Sequence, residues 1–274
     1  MPMEGLWLLW FIAGSIIGSF LNVCVHRLPR EESIVRPGSR CPSCKRPIAW
    51  RDNIPLISYL ALRARCRHCR APISWRYPAV ELSTGLATAA VLHRFGMGPV
   101  GFIYLVFVYG LIVSSFVDLE FRIIPDEISL GGMVVGLLAS FLVPALHGAD
   151  SSWLALGRSA LGLGVGASLL YLTGLLGDFL FKKESMGLGD VKLLGMAGSV
   201  LGWKFVVLTF FLSPMLAVIP GLFVLLSKKS HEIPYGPFLS LSMVASLFFG
   251  EELVRLSGME DVVRILWEYY GWPR

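Results

Sequence analysis

Residues 5–25 read GLWLLWFIAGSIIGSFLNVCV, a run of 21 residues that contains no Asp, Glu, Lys or Arg. A helix rises about 1.5 Å per residue, so about 20 apolar residues span a hydrocarbon core that is roughly 30 Å thick. Five more uncharged runs follow at residues 95–117, 128–149, 159–177, 205–227 and 233–250. Two weaker segments lie at 77–93, interrupted only by Glu81, and at 193–203. The pattern predicts an all-α polytopic membrane bundle of about eight transmembrane helices.

The composition of the whole chain excludes an ordinary water-soluble domain. Of the 274 residues, 55% are hydrophobic and only 16% are charged, and the mean hydropathy is +0.67. The 29 glycines fall largely among uncharged apolar runs, and glycine on membrane helices lets their backbones approach closely. We therefore expect tightly packed helices with the lipid bilayer as their surroundings.

The positive charge is concentrated in one loop. Of the 24 Lys and Arg residues, 12 lie within residues 27–76, which carry only three acidic residues, a local net charge of 12 − 3 = +9. The positive-inside rule places this loop in the cytoplasm and the N-terminus outside. The charge therefore indicates membrane topology, and we expect no nucleic-acid partner. Glu4 before the first run and Arg27 behind it favour a retained span over a cleaved signal peptide.

These features predict four segments. Residues 1–26 hold the first transmembrane helix, and residues 27–76 form a basic cytoplasmic loop domain. Residues 77–250 form the transmembrane core. Residues 251–274 mix apolar and charged side chains at helical spacing, which predicts an interfacial C-terminal tail.

Four of the five cysteines form two CxxC pairs in the basic loop. Cys41 and Cys44 are separated by 21 residues from Cys66 and Cys69, which is the spacing of a zinc ribbon. Four thiolates complete a tetrahedral shell with no open position, so we expect a structural zinc ion. The alternatives are disulfides or unliganded thiols, or His68 in place of one cysteine. Cys24 ends an apolar run, where a small buried hydrophobic side chain is expected.

Two carboxylates stand at the ends of predicted spans on the cytoplasmic side. Asp118 closes the third span, and Asp190 begins the sixth within Gly187-Leu188-Gly189-Asp190. Asp at a membrane helix centre costs about 2.5–3.5 kcal/mol on insertion scales. Two such carboxylates that share a proton can perform aspartic-protease chemistry. The pattern leaves a second interpretation open, in which both are ordinary acids at a water boundary and Asp190 is a helix N-cap.

Two further acids are candidates for other roles. Pro125 and Asp126 read as a turn followed by a helix start, with Asp126 near the positive end of the fourth span. Glu81 lies in an apolar stretch, where it could pair with Arg76 or contact a cationic ligand. The GxSxG, HExxH and Walker A fingerprints are missing from the sequence, so the corresponding enzyme classes are not supported.

The ordered set of motifs over residues 10–240 resembles the type IV prepilin peptidases. The motifs are Gly18-Ser19-Phe20-Leu21-Asn22, Arg27-Leu28-Pro29, the two CxxC pairs, Asn53-Ile54-Pro55, Ser58-Tyr59, Arg76-Tyr77-Pro78, Val80-Glu81-Leu82, Asp118-Leu119-Glu120, Ile124-Pro125-Asp126, Gly187-Leu188-Gly189-Asp190-Val191-Lys192 and Ile233-Pro234-Tyr235-Gly236. Two positions depart from the family pattern. Ala64 stands where glycine is expected, and Tyr235 stands where phenylalanine is usual.

The resemblance implies a function and a site. Asp118 and Asp190 would be the catalytic aspartyl pair, supported by the motif residues Gly187, Gly189, Lys192, Pro125 and Asp126. Such enzymes lie in the bacterial cytoplasmic (inner) membrane, where they cut the basic leader from prepilins and pseudopilins at the cytoplasmic face. They then methylate the new N-terminal amine with S-adenosylmethionine, whose binding site the sequence does not locate.

Three other functions remain as alternatives. The first is a peptidase without methyltransferase activity. An ion-coupled transporter would use Glu81, Asp118 and Asp190 as ion or proton carriers and would place polar groups near the bilayer midplane. A zinc-dependent membrane scaffold would retain its function without either aspartate.

Overall fold

The computed structural model describes residues 5–182, 186–226, 234–256 and Gly258. Nine α-helices occur within these ranges: α1 (Trp7–Arg27), α2 (Ile57–Ala61), α3 (Arg76–Phe95), α4 (Pro99–Phe121), α5 (Asp126–Leu142), α6 (Ser152–Phe181), α7 (Leu188–Leu201), α8 (Trp203–Leu226) and α9 (Gly236–Leu256). Short 3-10 turns occupy Leu28–Arg30, Trp50–Asp52 and Pro144–His147. The described residues contain no β-strand, which confirms the all-α prediction.

The eight long helices coincide with the eight apolar segments that the sequence marks. Four of them, α1, α4, α6 and α9, are each long and apolar enough to cross a membrane. Helix α8 contains Pro214 and Pro220, and its first part, Trp203–Val218, is a shorter apolar helix. Helix α7 is 14 residues long, in agreement with the short sixth segment. The protein is therefore an integral membrane protein.

The chain divides into two compact units, Met1–Ile128 and Ser129–Arg274. In the first unit, α1 packs against α3 and α4. Their contact contains a cluster of buried side chains formed by Leu21, Cys24, Val25, Val80, Val113 and Val117. Cys24 is a free thiol in this cluster, as expected for a small hydrophobic residue. Residues 28–75, the cysteine loop, connect α1 to α3.

Helices α1 and α3 approach each other through glycine. A Cβ atom on Gly18 would lie 2.8 Å from the Cα atom of Glu81 and 3.1 Å from the side chain of Thr84. The 2.8 Å distance is shorter than the contacts that real Cβ atoms make, so a residue larger than glycine at position 18 would separate the two helices. The close approach holds the backbone of Glu81 directly against α1.

In the second unit, α6 packs against α7, and α8 packs against α9. Gly162 of α6 and Gly198 of α7 face each other so closely that a Cβ atom on either would meet the carbonyl oxygen of the other. The Ser159 hydroxyl donates a 2.7 Å hydrogen bond to the Ser199 carbonyl across the same contact. This packing fixes the helix that carries Asp190.

The predicted interfacial tail lies mostly outside the described residues. Residues 251–256 continue α9, and of the remaining tail the structure describes only Gly258.

Substitution of the paired glycines should destabilise the second unit. We expect Gly162→Ala to lower the free energy of unfolding by about 1–3 kcal/mol, because the added methyl group overpacks the contact with Gly198. A Cβ atom on Gly164, two residues along the same helix, meets nothing within 4 Å. Gly164→Ala should therefore be neutral, or stabilising by up to about 1 kcal/mol. Thermal unfolding of both variants in detergent measures the difference, and equal stability of the two would contradict this account.

Candidate active site and metal centre

The four cysteines of the loop meet at one point. Their sulfur atoms all lie within 4.8 Å of one another. Each CxxC pair forms a tight turn, in which the Lys45 N–H donates to the Cys41 carbonyl at 2.9 Å and the Arg70 N–H donates to the Cys66 carbonyl at 3.0 Å. Lys45 and Arg70 both adopt left-handed backbone conformations, with φ of 58° and 60°. The two turns thus have the same geometry.

The two turns belong to an internal repeat of 25 residues that the sequence reasoning missed. CPSCKRPIAWR at residues 41–51 and CRHCRAPISWR at residues 66–76 share both cysteines and the Pro, Ile, Trp and Arg that follow them. The structure closes each turn with an isolated antiparallel bridge, Arg40 with Pro47 and Arg65 with Pro72. Self-comparison of the sequence at this spacing could have found the repeat.

The thiols suit a metal ion and not a disulfide. All five cysteines fall within the described residues, and all are free. The Cys41 and Cys69 sulfur atoms are 3.8 Å apart, well beyond a disulfide bond of about 2.05 Å. Backbone N–H groups of Cys69 and then His68 donate to the Cys66 sulfur and lower the pKa of that thiol to about 6. Four sulfur ligands with a stabilised thiolate could hold a metal ion.

The neighbouring polar side chains have other partners. The His68 ring lies 3.3 Å from the Arg46 guanidinium. The cluster of possible metal ligands contains the four cysteines and not His68. The Arg67 guanidinium donates two hydrogen bonds to Asp52, at 2.8 and 2.6 Å. These bonds lower the pKa of the Asp52 carboxyl and join the second turn to the Trp50–Asp52 segment.

Metal content tests the cluster directly. We expect purified wild-type protein to carry one tightly bound metal ion per chain. Cys44→Ser should lower the metal content by more than about tenfold, because one of four ligands is lost. Ser43→Ala changes the same turn without removing a ligand and should leave the content unchanged. Mass spectrometry of the elements measures both, and a metal-free wild-type protein with four freely alkylated thiols would contradict the assignment.

A cavity lies in the first unit where the cysteine loop covers α1, α3 and α4. Its volume is about 570 Å³. Its polar lining includes Asn22 of α1, Asn53 of the loop, Arg76 and Glu81 of α3, and Glu120 of α4. We call it the loop cavity. Sequence reasoning did not find it, because its walls come from segments up to about a hundred residues apart, between Ser19 and Glu120.

Glu81 faces this cavity and is not paired with Arg76. The Glu81 side chain is buried, with 8% of the residue exposed, and its Oε2 atom accepts a 2.7 Å hydrogen bond from the Leu56 N–H. Arg76 instead forms a salt bridge with Glu120. Of the two alternatives for Glu81, the pair with Arg76 is therefore not formed, because Glu120 offers Arg76 a carboxylate from the neighbouring helix α4.

Asp118 lies on α4, three residues before the helix ends at Phe121. It is buried, with 7% of the residue exposed. The adjacent residues Phe116, Leu119 and Glu120 line the loop cavity. Residues 116 and 118 are about 200° apart around a helix of 3.6 residues per turn, so Asp118 points away from that wall.

Asp190 lies in the first turn of α7 in the second unit. Gly187 occupies the N-cap position, so the interpretation of Asp190 as an N-cap is wrong. A Cβ atom on Gly187 would lie 3.4 Å from the Asp190 Oδ2 atom, which shows that the carboxylate reaches back toward the start of the helix. The positive end of the helix dipole lies there and favours a negative charge.

The remaining motif residues occupy helix starts. Pro125 precedes α5, and its carbonyl accepts a 3.1 Å hydrogen bond from the Ile128 N–H. Asp126 is the first residue of α5, which confirms the predicted turn and helix start. Tyr235, just before α9, forms a 2.5 Å hydrogen bond with the Ser213 hydroxyl.

Two family models match the chain. Residues 12–95 match the bacterial peptidase A24 N-terminal domain, and residues 105–222 match the type IV leader peptidase family. A prepilin leader peptidase/N-methyltransferase of Stutzerimonas stutzeri is 34% identical over 268 residues, which cover 88% of this chain and 90% of that protein. The chain belongs to the type IV leader peptidase family. No solved structure is significantly similar to it.

Other relatives carry the same name. A prepilin leader peptidase/N-methyltransferase of Pseudomonas aeruginosa is 32% identical over 276 residues, which cover 89% of this chain and 90% of that protein. The protein of that name from Myxococcus xanthus is 41% identical over 218 residues, which cover 79% of this chain but only 62% of the relative. The leader peptidase match contains both aspartates, and the N-terminal match contains the four clustered cysteines.

Proposed function

We propose that this membrane protein cleaves the leader peptide from prepilins or pseudopilins and then methylates the new N-terminal amine. The observation that carries the proposal is the 34% identity to a prepilin leader peptidase/N-methyltransferase across 88% of this chain and 90% of that protein. The four clustered cysteines and the match to the N-terminal domain support the bifunctional form over a peptidase alone.

The peptidase reaction is assigned to Asp118 and Asp190. One carboxylate removes a proton from a water molecule as the water oxygen attacks the scissile carbonyl carbon, and the other carboxyl group polarises the carbonyl oxygen. Transfer of a proton to the leaving amine then breaks the carbon–nitrogen bond. The burial of Asp118 and the place of Asp190 at a helix start support these roles. The motif around Asp190 includes Gly187, Gly189 and Lys192. The motif that follows Asp118 includes Pro125 and Asp126.

The four-sulfur cluster is assigned to a structural Zn²⁺ ion. Thiolate ligands in tetrahedral geometry select zinc over harder cations. Cys41, Cys44, Cys66 and Cys69 would hold the ion with four thiolates and leave no position for water, so the ion would stabilise the loop and take no part in the reaction. Binding of the metal then contributes directly to the free energy of folding.

The substrate and the membrane setting follow from the same assignment. A prepilin combines a basic leader with an apolar helix, so its scissile bond lies at the membrane surface. We place the cysteine loop and both aspartates on the cytoplasmic side of the bacterial inner membrane, with the N-terminus outside. The concentration of basic residues in 27–76 supports this topology. Residues 77–250 then form the peptidase core, with 1–26 as the first span and 251–274 at the interface.

The intact mass of a co-expressed prepilin tests both activities. Wild-type protein should remove the leader and add one methyl group. Asp118→Asn and Asp190→Asn should each lower the cleavage rate by about 10²- to 10⁴-fold, because each removes an acid–base group. Asp150→Asn changes an exposed aspartate outside the motifs and should cleave at the wild-type rate. Rapid cleavage by both motif variants would contradict the catalytic assignment.

A further inference from the structure

The loop between α1 and α3 exposes apolar side chains around the short helix α2. Leu60 of α2 is 75% exposed, and Ile57 of α2 and Ile54 just before it are exposed as well. Adjacent exposed side chains of this size mark a surface that contacts a membrane or another molecule. We call residues 50–63 the α2 segment.

The α2 segment reaches back along α1 instead of extending beyond its end. The Leu56 N–H donates a 2.7 Å hydrogen bond to the Glu81 Oε2 atom, and the Glu81 Cα atom lies against Gly18 of α1. Gly18 is nine residues before α1 ends at Arg27, which is about 13 Å along the helix axis. Leu56 therefore lies beside the length of a helix that can cross the membrane.

An apolar groove gives the same depth independently. Residues 53–57 form one wall of this groove of about 640 Å³, and α1 forms the other wall. Ile12, Ile16 and Phe20 in that second wall are exposed and lie four residues apart, on the side of α1 opposite Gly18. An exposed apolar stripe on a membrane-spanning helix contacts lipid hydrocarbon. The α2 segment therefore adjoins the lipid-facing side of α1.

Leu56 is the centre of a tight turn. Its φ and ψ are 62° and −48°, and the Ile57 N–H donates to the Pro55 carbonyl at 2.6 Å. These values describe a γ-turn, which is a rare and strained conformation for a residue other than glycine. Such strain persists only where the surroundings hold the residue, and the Glu81 carboxylate holds the Leu56 N–H. The chain thus reverses its direction at Leu56, and the α2 segment is a hairpin.

The backbone of this hairpin suits surroundings without water. Every N–H group of residues 53–58 has an acceptor within the protein, and Pro55 has no N–H group. The acceptors are the Trp50, Ile54 and Pro55 carbonyls, the Ser58 hydroxyl and the Glu81 carboxylate. Hydrocarbon offers no hydrogen bonds, so a backbone that enters it must have its polar groups satisfied internally.

Tryptophan and arginine flank the hairpin. Trp50, which is 82% exposed, lies at its start, and the exposed Trp75 is the N-cap of α3. The two tryptophans occupy the same position of the 25-residue repeat. Arg51 and Arg63 are exposed near the two ends of the hairpin. Tryptophan is enriched at the membrane surface, and arginine there binds the phosphates of anionic lipids.

We propose that the α2 segment is a re-entrant lipid anchor. Ile54, Ile57 and Leu60 enter the hydrocarbon of the bilayer beside α1, and the flanking arginines contact anionic headgroups. The anchor gives a loop with almost no hydrophobic core a second attachment besides the cysteine cluster. The inference rests on the membrane span of α1 and is independent of both proposed reactions, so its failure would leave the proposed function in place.

Charge favours lipid over a prepilin as the partner of this surface. The excess of basic residues in 27–76 repels the basic leader of a prepilin and attracts anionic headgroups. The groove also continues onto the lipid-facing stripe of α1, so lipid that surrounds α1 reaches the α2 segment directly.

Photo-crosslinking of the full-length protein in liposomes of phosphatidylglycerol and phosphatidylcholine tests the anchor. A photoreactive benzoylphenylalanine replaces Leu60 in one protein. In a matched control it replaces Ser43, an exposed residue between the two cysteines of the first turn. After irradiation, the intact mass of the position-60 protein should rise by the mass of one lipid, and the position-43 protein should gain no lipid.

The other outcomes would each overturn the anchor. Lipid adducts at both positions would show that the whole loop lies on the bilayer, and adducts at neither position would show that the α2 segment lies in water. Irradiation in whole cell membranes adds one more outcome. A cross-link from position 60 to a protein, without a lipid adduct, would assign the surface to a protein partner.

Hydrogen exchange in the same liposomes measures the attachment without a photoreactive label. Leu60→Asp places a charge in hydrocarbon and should speed exchange at residues 53–58 by about tenfold or more. Val35→Asp alters another exposed apolar residue of the loop and should leave that exchange unchanged. Wild-type exchange in α4 verifies that both variants fold. Equal exchange at residues 53–58 in the two variants would contradict the anchor.

The Glu81 acceptor provides a second pair of variants. Glu81→Gln retains an oxygen acceptor for the Leu56 N–H and should exchange at residue 56 within about twofold of wild type. Glu81→Leu removes the acceptor and should exchange there about tenfold faster or more. Equal exchange of the two variants would contradict the role of Glu81 in holding the hairpin.

Discussion

The meeting of four sulfur atoms is the constraint on which the first unit depends. Of the 48 residues in the cysteine loop, only Cys41 and Ser58 are buried, so the loop has almost no hydrophobic core of its own. Two turns of the same geometry, one repeat apart, hold the loop in a single arrangement. That arrangement places residues 53–59 and 66–75 over α1 and α3, where they complete the loop cavity. Loss of the cluster would remove one wall of the cavity.

Close helix packing positions the polar residues in both units. Membrane helices gain little from the hydrophobic effect against one another, so contact through small residues must hold them together. The glycine contacts of α1 with α3 place Glu81 beside the loop cavity, and those of α6 with α7 fix the helix that begins next to Asp190. The same kind of contact thus positions Glu81 in the first unit and the helix that carries Asp190 in the second.

Sequence reasoning predicted the helices well because uncharged runs of membrane length are unambiguous. It also found the four clustered cysteines, since CxxC spacing reflects local turn geometry. It did not find the Arg76–Glu120 pair, because that contact joins two residues 44 positions apart on neighbouring helices. It missed the loop cavity for the same reason. The 25-residue repeat was visible in the sequence and required only comparison of the two CxxC segments.

The central claim is that Asp118 and Asp190 act as one catalytic pair, and a cross-linking experiment tests it most directly. In a protein with Asp118→Cys and Asp190→Cys that has been loaded with Zn²⁺, the proposed ion would protect the four loop thiols, and Cys24 is buried, so a short thiol cross-linker should react with the two new cysteines. Intact mass should show one linker joining the two positions. Two linkers, each attached at one end only, would contradict the pair.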